Sequence, residues 1–353
     1  MDKIKYLILL PAILCINILI FTNPSLAVED KDILYPTIGK EYEYPSVSRE
    51  AETAPVDLEK KQDKFKLGIS TSLVGGYDSN VYLSHYDEVS SFFIQEALGI
   101  YGEYLLSDFC MLRSNYDLTS IKYARFSEPD LLDNIINVGF DTMITESLLW
   151  SVDYYIDFVG YPHDKASEYT MNEIETGLKH NITDSLYHKL TYRFSYKHYP
   201  KWKTRNRVGT VRLGSRDDRR NALEYLLGIY VTDKTALEIE NTIYYNNSNE
   251  LYLDYYDYTT LKSEVTIIQL ITDKFYASLN SGYQYKAYKN RIVSDRDRGD
   301  QRDRLLMCGA SLFYDIAPAI SIGTNFDYRK NFSNEGEQKY ADYIISGGVY
   351  CSF

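Results

Sequence analysis

The sequence has few cysteines, few tryptophans and, beyond its first residues, no long apolar run. Only 4 of its 353 residues are Cys and 2 are Trp. Cys110, Cys308 and Cys351 lie outside the N-terminal apolar segment, and their odd number and wide spacing argue against a disulfide framework or a metal knuckle. No later stretch approaches the ~18 apolar residues that a membrane-spanning helix needs. The sequence therefore argues against a disulfide-stabilised domain and against a helical membrane protein.

Basic residues are outnumbered by acidic ones. The chain has 38 Lys and Arg against 50 Asp and Glu, a formal net charge of −12, which argues against nucleic acid as a partner. Tyrosine, in contrast, is abundant at 36 residues, and 44% of the chain is apolar. This mixture suits strands that have one apolar and one polar face, because side chains of a strand point alternately to opposite sides.

Residues 1–27 have the features of a cleaved secretory signal peptide. Lys3 and Lys5 precede a mostly apolar segment, and a small-residue cleavage site predicts that the mature chain begins at Val28. Two alternatives stay open. The chain is a lipoprotein cut before Cys15, although the preceding leucine is bulky for that site, or the segment is a retained helix, although a proline and an asparagine interrupt it.

The next segment, residues 28–63, is polar and acidic, contains three prolines and lacks clear periodicity. This composition predicts a flexible periplasmic arm. A plug inside a barrel is the alternative. The remaining residues, 64–353, are predicted to form one β-barrel domain.

From residue 64 onward the hydrophobic pattern has a period of two. Apolar and aromatic residues alternate with polar ones over 150–158, 186–197, 237–243 and 320–329. Alternation of this length predicts strands with one apolar face.

Six short turn motifs recur roughly every 40 residues along the chain. Five of them place Ser or Thr before Asp or Glu, residues that hydrogen-bond their own backbone in turns. The motifs lie at 106–109, 144–147, 182–185, 231–234, 271–274 and 316–319.

These turns divide the chain into fourteen predicted strands, with twelve or sixteen as alternatives. Short turns follow even-numbered strands and longer connections follow odd-numbered ones, which is typical of bacterial outer-membrane barrels. Only a closed barrel lets extended backbone cross lipid with its polar groups paired. The predicted fold is all-β, a transmembrane antiparallel up-and-down β-barrel in the bacterial outer membrane, with short turns in the periplasm and long loops outside.

Many tyrosines lie near predicted strand ends, where amphipathic rings favour the lipid headgroup level. At the outer ends these are Tyr123, Tyr154, Tyr196, Tyr244, Tyr245, Tyr285 and Tyr288.

The longest predicted outer loop, residues 199–220, is strongly basic. Arginine grips carboxylate and phosphate groups with two parallel hydrogen bonds, so the loop is a candidate site for an anionic polysaccharide. A solvated loop that pairs with lipid phosphates or neighbouring acids is the alternative. The candidate residues are Lys201, Lys203, Arg205, Arg207, Arg212, Arg216, Arg219 and Arg220.

The predicted inward face carries charges of both signs. Acids that flank bases on neighbouring strands either polarise the lumen or form the ordinary polar lining of a water-filled interior, and we favour the second interpretation. The candidate lumen residues are Lys189, Arg193, Lys197, Asp153, Asp157, Glu238 and Glu240.

Motifs for catalysis and for cofactors are missing from the sequence. The five histidines are scattered, and there is no Gly-x-Ser-x-Gly elbow, phosphate loop or zinc helix. We therefore expect no enzymatic activity, no cofactor and no metal site.

The stretch Gly76-Tyr-Asp-Ser-Asn-Val81 resembles a signature found early in several bacterial outer-membrane barrels. They include the β-barrel porin 2 family, whose members are linked to exopolysaccharide systems. The Arg- and Asp-rich outer segments and the terminal aromatic residue strengthen the resemblance. It implies a porin-like barrel associated with exopolysaccharide. The motif also suits a bend or turn, because Gly, Asp and Asn are common there.

The final segment, residues 340–353, is predicted to pair with the first strand and close the barrel. Ile345, Val349 and Phe353 are expected to face lipid, and Phe353 is a candidate signal for the barrel assembly machinery. Outer-membrane lipid and lipopolysaccharide are the other expected partners. The leading hypothesis is passage of a hydrophilic solute, with an exopolysaccharide as one candidate. The alternative is a non-conducting structural or glycan-binding surface barrel.

Overall fold

The computed structural model describes residues 64–294 and 299–353, which form one closed antiparallel barrel of fourteen strands. The predicted fold and strand number are confirmed. The signal peptide predicted for residues 1–27 and the arm predicted for 28–63 lie outside the described residues. In the described part the single 3-10 helix of three residues, Gly336–Gln338, precedes the last strand, and no helix is long and apolar enough to span a membrane.

The strands follow one another around the barrel in sequence order. They are β1 Phe65–Asp78, β2 Ser91–Ser107, β3 Cys110–Tyr123, β4 Leu131–Thr145, β5 Leu148–Gly160, β6 Tyr169–Thr183, β7 Leu186–Arg205, β8 Val211–Thr232, β9 Thr235–Ser248, β10 Tyr258–Thr272, β11 Phe275–Ile292, β12 Asp300–Ala317, β13 Ile320–Ser333 and β14 Tyr340–Ser352.

The barrel closes between β1 and β14. Their register runs from Ser70 opposite Ser352 to Asp78 opposite Ile344. Beyond it, Ile69 and Phe353 exchange two backbone hydrogen bonds of 3.0 and 2.9 Å. The predicted pairing of the last strand with the first is confirmed.

The six turns after even-numbered strands contain two residues each and define one end of the barrel, the turn rim. In five of them the hydroxyl of the residue before the turn accepts the backbone N–H two residues later, at 3.2–3.4 Å. The sixth turn has Ala317 and Pro318 at these positions. The recurrent hydroxyl residues thus form the backbone hydrogen bonds that their sequence positions predicted.

The outward face is apolar along the strands. Leu67, Leu73 and Ile94 are 61%, 57% and 57% exposed, as befits side chains that meet lipid. Outward rings satisfy their polar atoms on the neighbouring strand: the hydroxyl of Tyr154 donates to Asn172 at 2.8 Å and that of Tyr192 to Asn221 at 2.7 Å. Polar groups at membrane depth are thereby paired within the protein, as lipid requires.

The predicted long basic loop at residues 199–220 is wrong. Strand β7 continues to Arg205 and β8 begins at Val211, so the connection is only residues 206–210. The physical reason is that residues 216–220 alternate between the two faces and pair with β7, although they are charged. The high density of charged residues hid a hairpin of two long strands, 20 residues in β7 and 22 in β8, at the loop rim, which is the end of the barrel opposite the turn rim.

Candidate functional site: the inner wall of the barrel

The strand register determines which side chains share the inner face. Residues that lie opposite each other on paired strands point to the same side of a sheet. On β5, Tyr154 and Phe158 are 44% and 45% exposed on the outer face, so the intervening residues point inward. Following the register around the barrel places every predicted lumen residue on the inner face: Lys189, Arg193, Lys197, Asp153, Asp157, Glu238 and Glu240.

One part of this inner face, formed by β3 to β6, is dominated by carboxylates and is called the acidic wall. Its inward bases are Arg113 and Lys179. Its inward acids are Asp117, Asp133, Asp141, Asp153, Asp157, Glu173 and Glu175.

Arg113 binds two carboxylates of the acidic wall at once. Its Nε lies 2.6 Å from Oδ2 of Asp141 and its Nη2 lies 3.1 Å from Oδ2 of Asp153. Asn137 donates to the other oxygen of Asp153 at 3.3 Å. A Cβ at Gly139 would lie 2.3 Å from Asp153, so the glycine leaves room for this cluster. Asp141 and Asp153, which are buried, therefore have charged or hydrogen-bonded partners inside the wall, as buried carboxylates require.

The bases predicted on β7 contact residues of both neighbouring strands, β6 and β8. Lys189 forms an ion pair with Glu175 of β6 at 3.5 Å, and Arg193 forms one with Glu224 of β8. Lys197 lies over the ring of a β6 tyrosine, 4.2 Å from its centroid. Strand β7 thus forms the boundary between the acidic wall and the next part of the lumen.

The two acids predicted on β9 have neutral hydrogen-bond partners. Glu238 accepts from the hydroxyl of Tyr187 at 2.6 Å, and Glu240 accepts from the hydroxyl of Thr242 at 3.1 Å.

A different surface covers the inner face of β8 to β11 near the loop rim. Cations and tyrosine rings are interleaved across these four strands, and we call this set the cation–tyrosine row. Its members are Arg220, Tyr244, Tyr258, Lys286, Tyr288 and Arg291.

Contacts between neighbours make the row continuous. Arg220 lies 4.7 Å from the ring centroid of Tyr244 and donates from Nη2 to the hydroxyl of Tyr258 at 3.1 Å. Lys286 lies 4.5 Å from the centroid of Tyr258, whose ring lies 5.4 Å from that of Tyr288. Arg220, Tyr258, Lys286 and Tyr288 are all partly exposed, so they are reachable from the lumen.

The cation–tyrosine row corrects one expectation from the sequence. Tyr123, Tyr244 and Tyr288 face inward and do not lie at the lipid headgroup level. Tyr123, for example, donates from its hydroxyl to Asp78 at 3.1 Å on the inner face. The available signal was the parity of each strand: Tyr258 has the parity opposite to the outward Ile267, and Lys286 and Tyr288 have the parity opposite to the outward Leu279.

The connection between β9 and β10, residues 249–257, packs against the same end of the lumen and is called the roof loop. Its Tyr256 is buried, with Arg216 3.4 Å from the ring centroid and Trp202 at 6.1 Å. Its Tyr255 lies 4.0 Å from Arg291. Burial raises the pKa of Tyr256 to about 12, so its phenol stays neutral at physiological pH.

The structure disperses the residues of the predicted anionic-ligand loop. Lys201 pairs with Glu168 at 3.4 Å and Arg205 with Glu250 at 3.0 Å. Arg216 is 4% exposed and is ion-paired to Asp218. Of the other members, Arg220 points inward. The remaining four are exposed: Lys203, Arg207, Arg212 and Arg219.

The motif at residues 76–81 stabilises the closure of the barrel. Asn80 is fully buried; its side chain donates to the carbonyl of Ser84 at 2.8 Å and accepts from the N–H of that residue at 3.0 Å. Asp342 of β14 accepts from the hydroxyl of Ser79 and from the N–H of Asn80, at 3.0 and 3.1 Å. The motif thus joins the outer end of β1 to β14, which gives it a structural role.

Metal-binding geometry is not found in the part of the chain that the structure describes: no three His, Cys, Asp or Glu side chains are arranged to hold an ion. Cys110, Cys308 and Cys351 are free thiols.

No protein-family model matches the sequence, and no curated protein matches it. The resemblance of residues 76–81 to the β-barrel porin 2 family therefore stays a prediction. Among solved structures, the chain is similar to a bacterial polysaccharide outer membrane secretin, with 9% identity and a TM-score of 0.48 over 80% of this chain and 98% of that chain. It is similar to the outer membrane channel DcaP of Acinetobacter baumannii, with 8% identity and a TM-score of 0.48 over 83% and 99%. A third is an anion-selective porin from Comamonas acidovorans, with 8% identity and a TM-score of 0.47 over 82% and 99%.

The location of the protein follows from its barrel. All strands are paired around a closed sheet, and the outward face is apolar between two rims of different connection length. Closed antiparallel barrels of this kind span the bacterial outer membrane. The protein is an outer-membrane β-barrel, as the sequence predicted.

Proposed function

We propose that the barrel is a porin-like passage for hydrophilic, charged solutes across the outer membrane. The observation that carries this proposal is the inner face, on which mostly acidic side chains of β3 to β6 and charged side chains of both signs on β7 to β11 surround one lumen. Charged side chains that line a pore stabilise ions which have left bulk water.

The finer proposal is that the solute is an exopolysaccharide or a fragment of one. The support is the resemblance of residues 76–81 and the presence of aromatic rings among the lumen cations. Hydroxyl-rich chains combine apolar C–H faces with polar edges, and tyrosine offers a ring face and a hydroxyl group.

Planar-bilayer recording tests the passage proposal. The folded protein is inserted into bilayers in potassium chloride, as the mature chain and as a variant that lacks residues 28–63. We expect stepwise, ohmic current increments. Folded, heat-modifiable protein that inserts without current in both forms would refute the proposal.

A second candidate function is a non-conducting barrel that binds surface glycan. The roof loop favours it, because Tyr256 and Arg216 are both buried and hold the loop against the inner face. The same recordings distinguish the candidates, since a permanently closed mouth gives no current. If replacing Tyr256 with Ala opens a current that the native protein lacks, the second candidate gains support.

The proposed partners follow from the exterior. Outer-membrane lipid, including lipopolysaccharide, would meet the apolar outward face, and the barrel assembly machinery would meet the last strand. Phe353 is 72% exposed, so its ring is available for such a contact.

A further inference from the structure

The cation–tyrosine row has dimensions that suit a short chain molecule. It crosses four adjacent strands, β8 to β11, and neighbouring strands lie ~4.8 Å apart, so the row spans roughly 15 Å of the inner face. Ring-to-ring and cation-to-ring contacts of 4.5 to 6.1 Å connect its members without a break from Arg220 to Tyr288. Arg291 extends it, 4.9 Å from the ring of Tyr288.

The two kinds of group in the row bind different parts of a ligand. Tyrosine rings present electron-rich faces on which apolar C–H groups and cations pack, and their hydroxyl groups exchange hydrogen bonds. Arginine and lysine bind carboxylate and sulfate or phosphate esters, arginine with two parallel bonds and lysine as a point charge. A ligand that uses both has rings with apolar faces, hydroxyl edges and negative charge at intervals along a chain.

Of the two surfaces, the acidic wall and the cation–tyrosine row, the row is the more favourable one for an anion. The acidic wall of β3 to β6 carries a clear excess of carboxylates. Carboxylates repel a negative solute, whereas the cations of the row attract it. An anionic chain thus experiences a more favourable potential at the row than at the acidic wall.

We infer that the cation–tyrosine row is a binding subsite for acidic oligosaccharides within the lumen. This inference rests on the proposed passage function, because the row lies on the inner face and a ligand reaches it through the lumen. It specifies a substrate class, a chain of sugar rings that carry carboxylate, sulfate or phosphate groups. It assigns the recognition to the members of the row that are partly exposed, with the buried Tyr244 as support.

The test measures binding and current separately. Hexagalacturonate is the acidic probe, maltohexaose is the neutral probe of equal ring number, and inorganic phosphate is the anion without rings. Binding to the detergent-solubilised barrel is measured by calorimetry, and block of ion current is measured in bilayers with the probe added on the loop-rim side. We expect the acidic hexamer to bind and block, with an affinity that decreases as salt is raised.

Four variants assign the effect to the row. Lys286→Gln and Arg220→Gln each remove a charge, and we expect each to weaken hexagalacturonate binding about tenfold, the size of one charge-assisted hydrogen bond. Tyr258→Leu removes a ring and should weaken both hexamers. Lys189→Gln removes a lumen cation outside the row, paired with Glu175, and should change hexagalacturonate affinity less than twofold.

Heat-modifiable gel migration shows whether each variant is folded. Tyr258→Phe is a milder change that loses only the hydroxyl to which Arg220 donates, and it keeps the ring test interpretable if Tyr258→Leu does not fold.

The outcomes separate the subsite from the passage. If the native protein binds hexagalacturonate, the row variants do not, and no current is observed, the subsite is retained and the passage is refuted. If the barrel conducts current and the row variants bind hexagalacturonate as well as the native protein does, the subsite is refuted and the passage is retained. Equal affinity for maltohexaose refutes the requirement for charge, and equal affinity for phosphate refutes the requirement for rings.

Discussion

The charged side chains of the acidic wall of β3 to β6 and of the cation–tyrosine row of β8 to β11 have different kinds of partner. Arg113 sits between Asp141 and Asp153 in direct ion pairs, and Gly139 and Asn137 complete the cluster. In the row, Arg220 and Lys286 lie over tyrosine rings. Ion pairs with Arg113 bind two buried acids of the wall, whereas the row places cations against aromatic rings at the lumen surface. If the row binds acidic oligosaccharides as inferred above, the charges of one lumen divide into a structural group and a ligand-binding group.

The largest expected difference between the two walls is in stability. Arg113→Met leaves two carboxylates without their cation, and breaking a buried ion pair costs about 3–5 kcal/mol. Lys286→Met removes a cation–π contact, which is worth about 1 kcal/mol. The measurement is the free energy of unfolding in urea, followed by fluorescence of the protein in lipid vesicles. An equal decrease in the free energy of unfolding in the two variants would show that the acidic wall and the cation–tyrosine row are stabilised in the same way.

Ion selectivity gives a smaller and opposite pair of effects. Lys286→Gln should raise the permeability ratio of potassium to chloride about twofold, and Glu173→Gln should lower it about twofold. Unit charges ~10 Å apart in water interact by ~0.4 kcal/mol, which corresponds to a factor of about two. Reversal potentials in a potassium chloride gradient measure the ratio. Thr260→Ser, a neutral change on the same inner face, is the control, and shifts of the same sign in both charge variants would contradict a polarised lumen.

The smallest effects concern two loop carboxylates, one beside the acidic wall and one beside the cation–tyrosine row. A hydrogen bond from Lys165 lowers the pKa of Glu168, so the stability it contributes is present above its unfolded pKa of ~4.3 and is lost as pH decreases through the lower folded pKa. Burial raises the pKa of Asp257 in the roof loop. Its contribution has the opposite sign: it is complete below the unfolded pKa of ~3.9 and is lost as pH increases through the raised folded pKa.

Matched amide variants isolate these two groups. Glu168→Gln should be destabilising near pH 7 and should approach the native stability in acid. Asp257→Asn should remove the part of the pH dependence in which acid favours folding. The measurement is the free energy of unfolding as a function of pH between about 3.5 and 7. If the free energy of unfolding of the two variants depends on pH in the same way, the two loops respond to pH alike.

Much of the barrel was predictable because its signals are local. Thr183 and Thr272 form the turn hydrogen bonds that their position before an acid indicates. Alternation along β5 and β7 correctly predicted which residues face inward. The hairpin of β7 and β8 was missed at its outer end, because charged residues on both faces remove the apolar alternation by which a strand is recognised. Its pairing with β7 is what makes those residues a strand.

The candidate site was less predictable than the fold. The register gives Lys189 and Glu238 inward positions, but their partners, Glu175 and Tyr187, lie 14 and 51 positions away. Tyr258 and Lys286 belong to different strands whose juxtaposition depends on register. Near a strand end, tyrosines are suited to the headgroup level and to a polar lumen alike, so composition does not distinguish the two positions.

The sequence by itself determined the period of two, the turn positions, the strand number and hence an outer-membrane barrel, because each depends on residues within one strand or one turn. Tertiary structure alone decided that Arg220, Tyr258 and Lys286 adjoin, that Arg113 lies between two acids, and that Asp342 holds the motif of residues 76–81. The physical reason is that side-chain contacts across a sheet depend on register and closure, which bring together residues from distant parts of the chain.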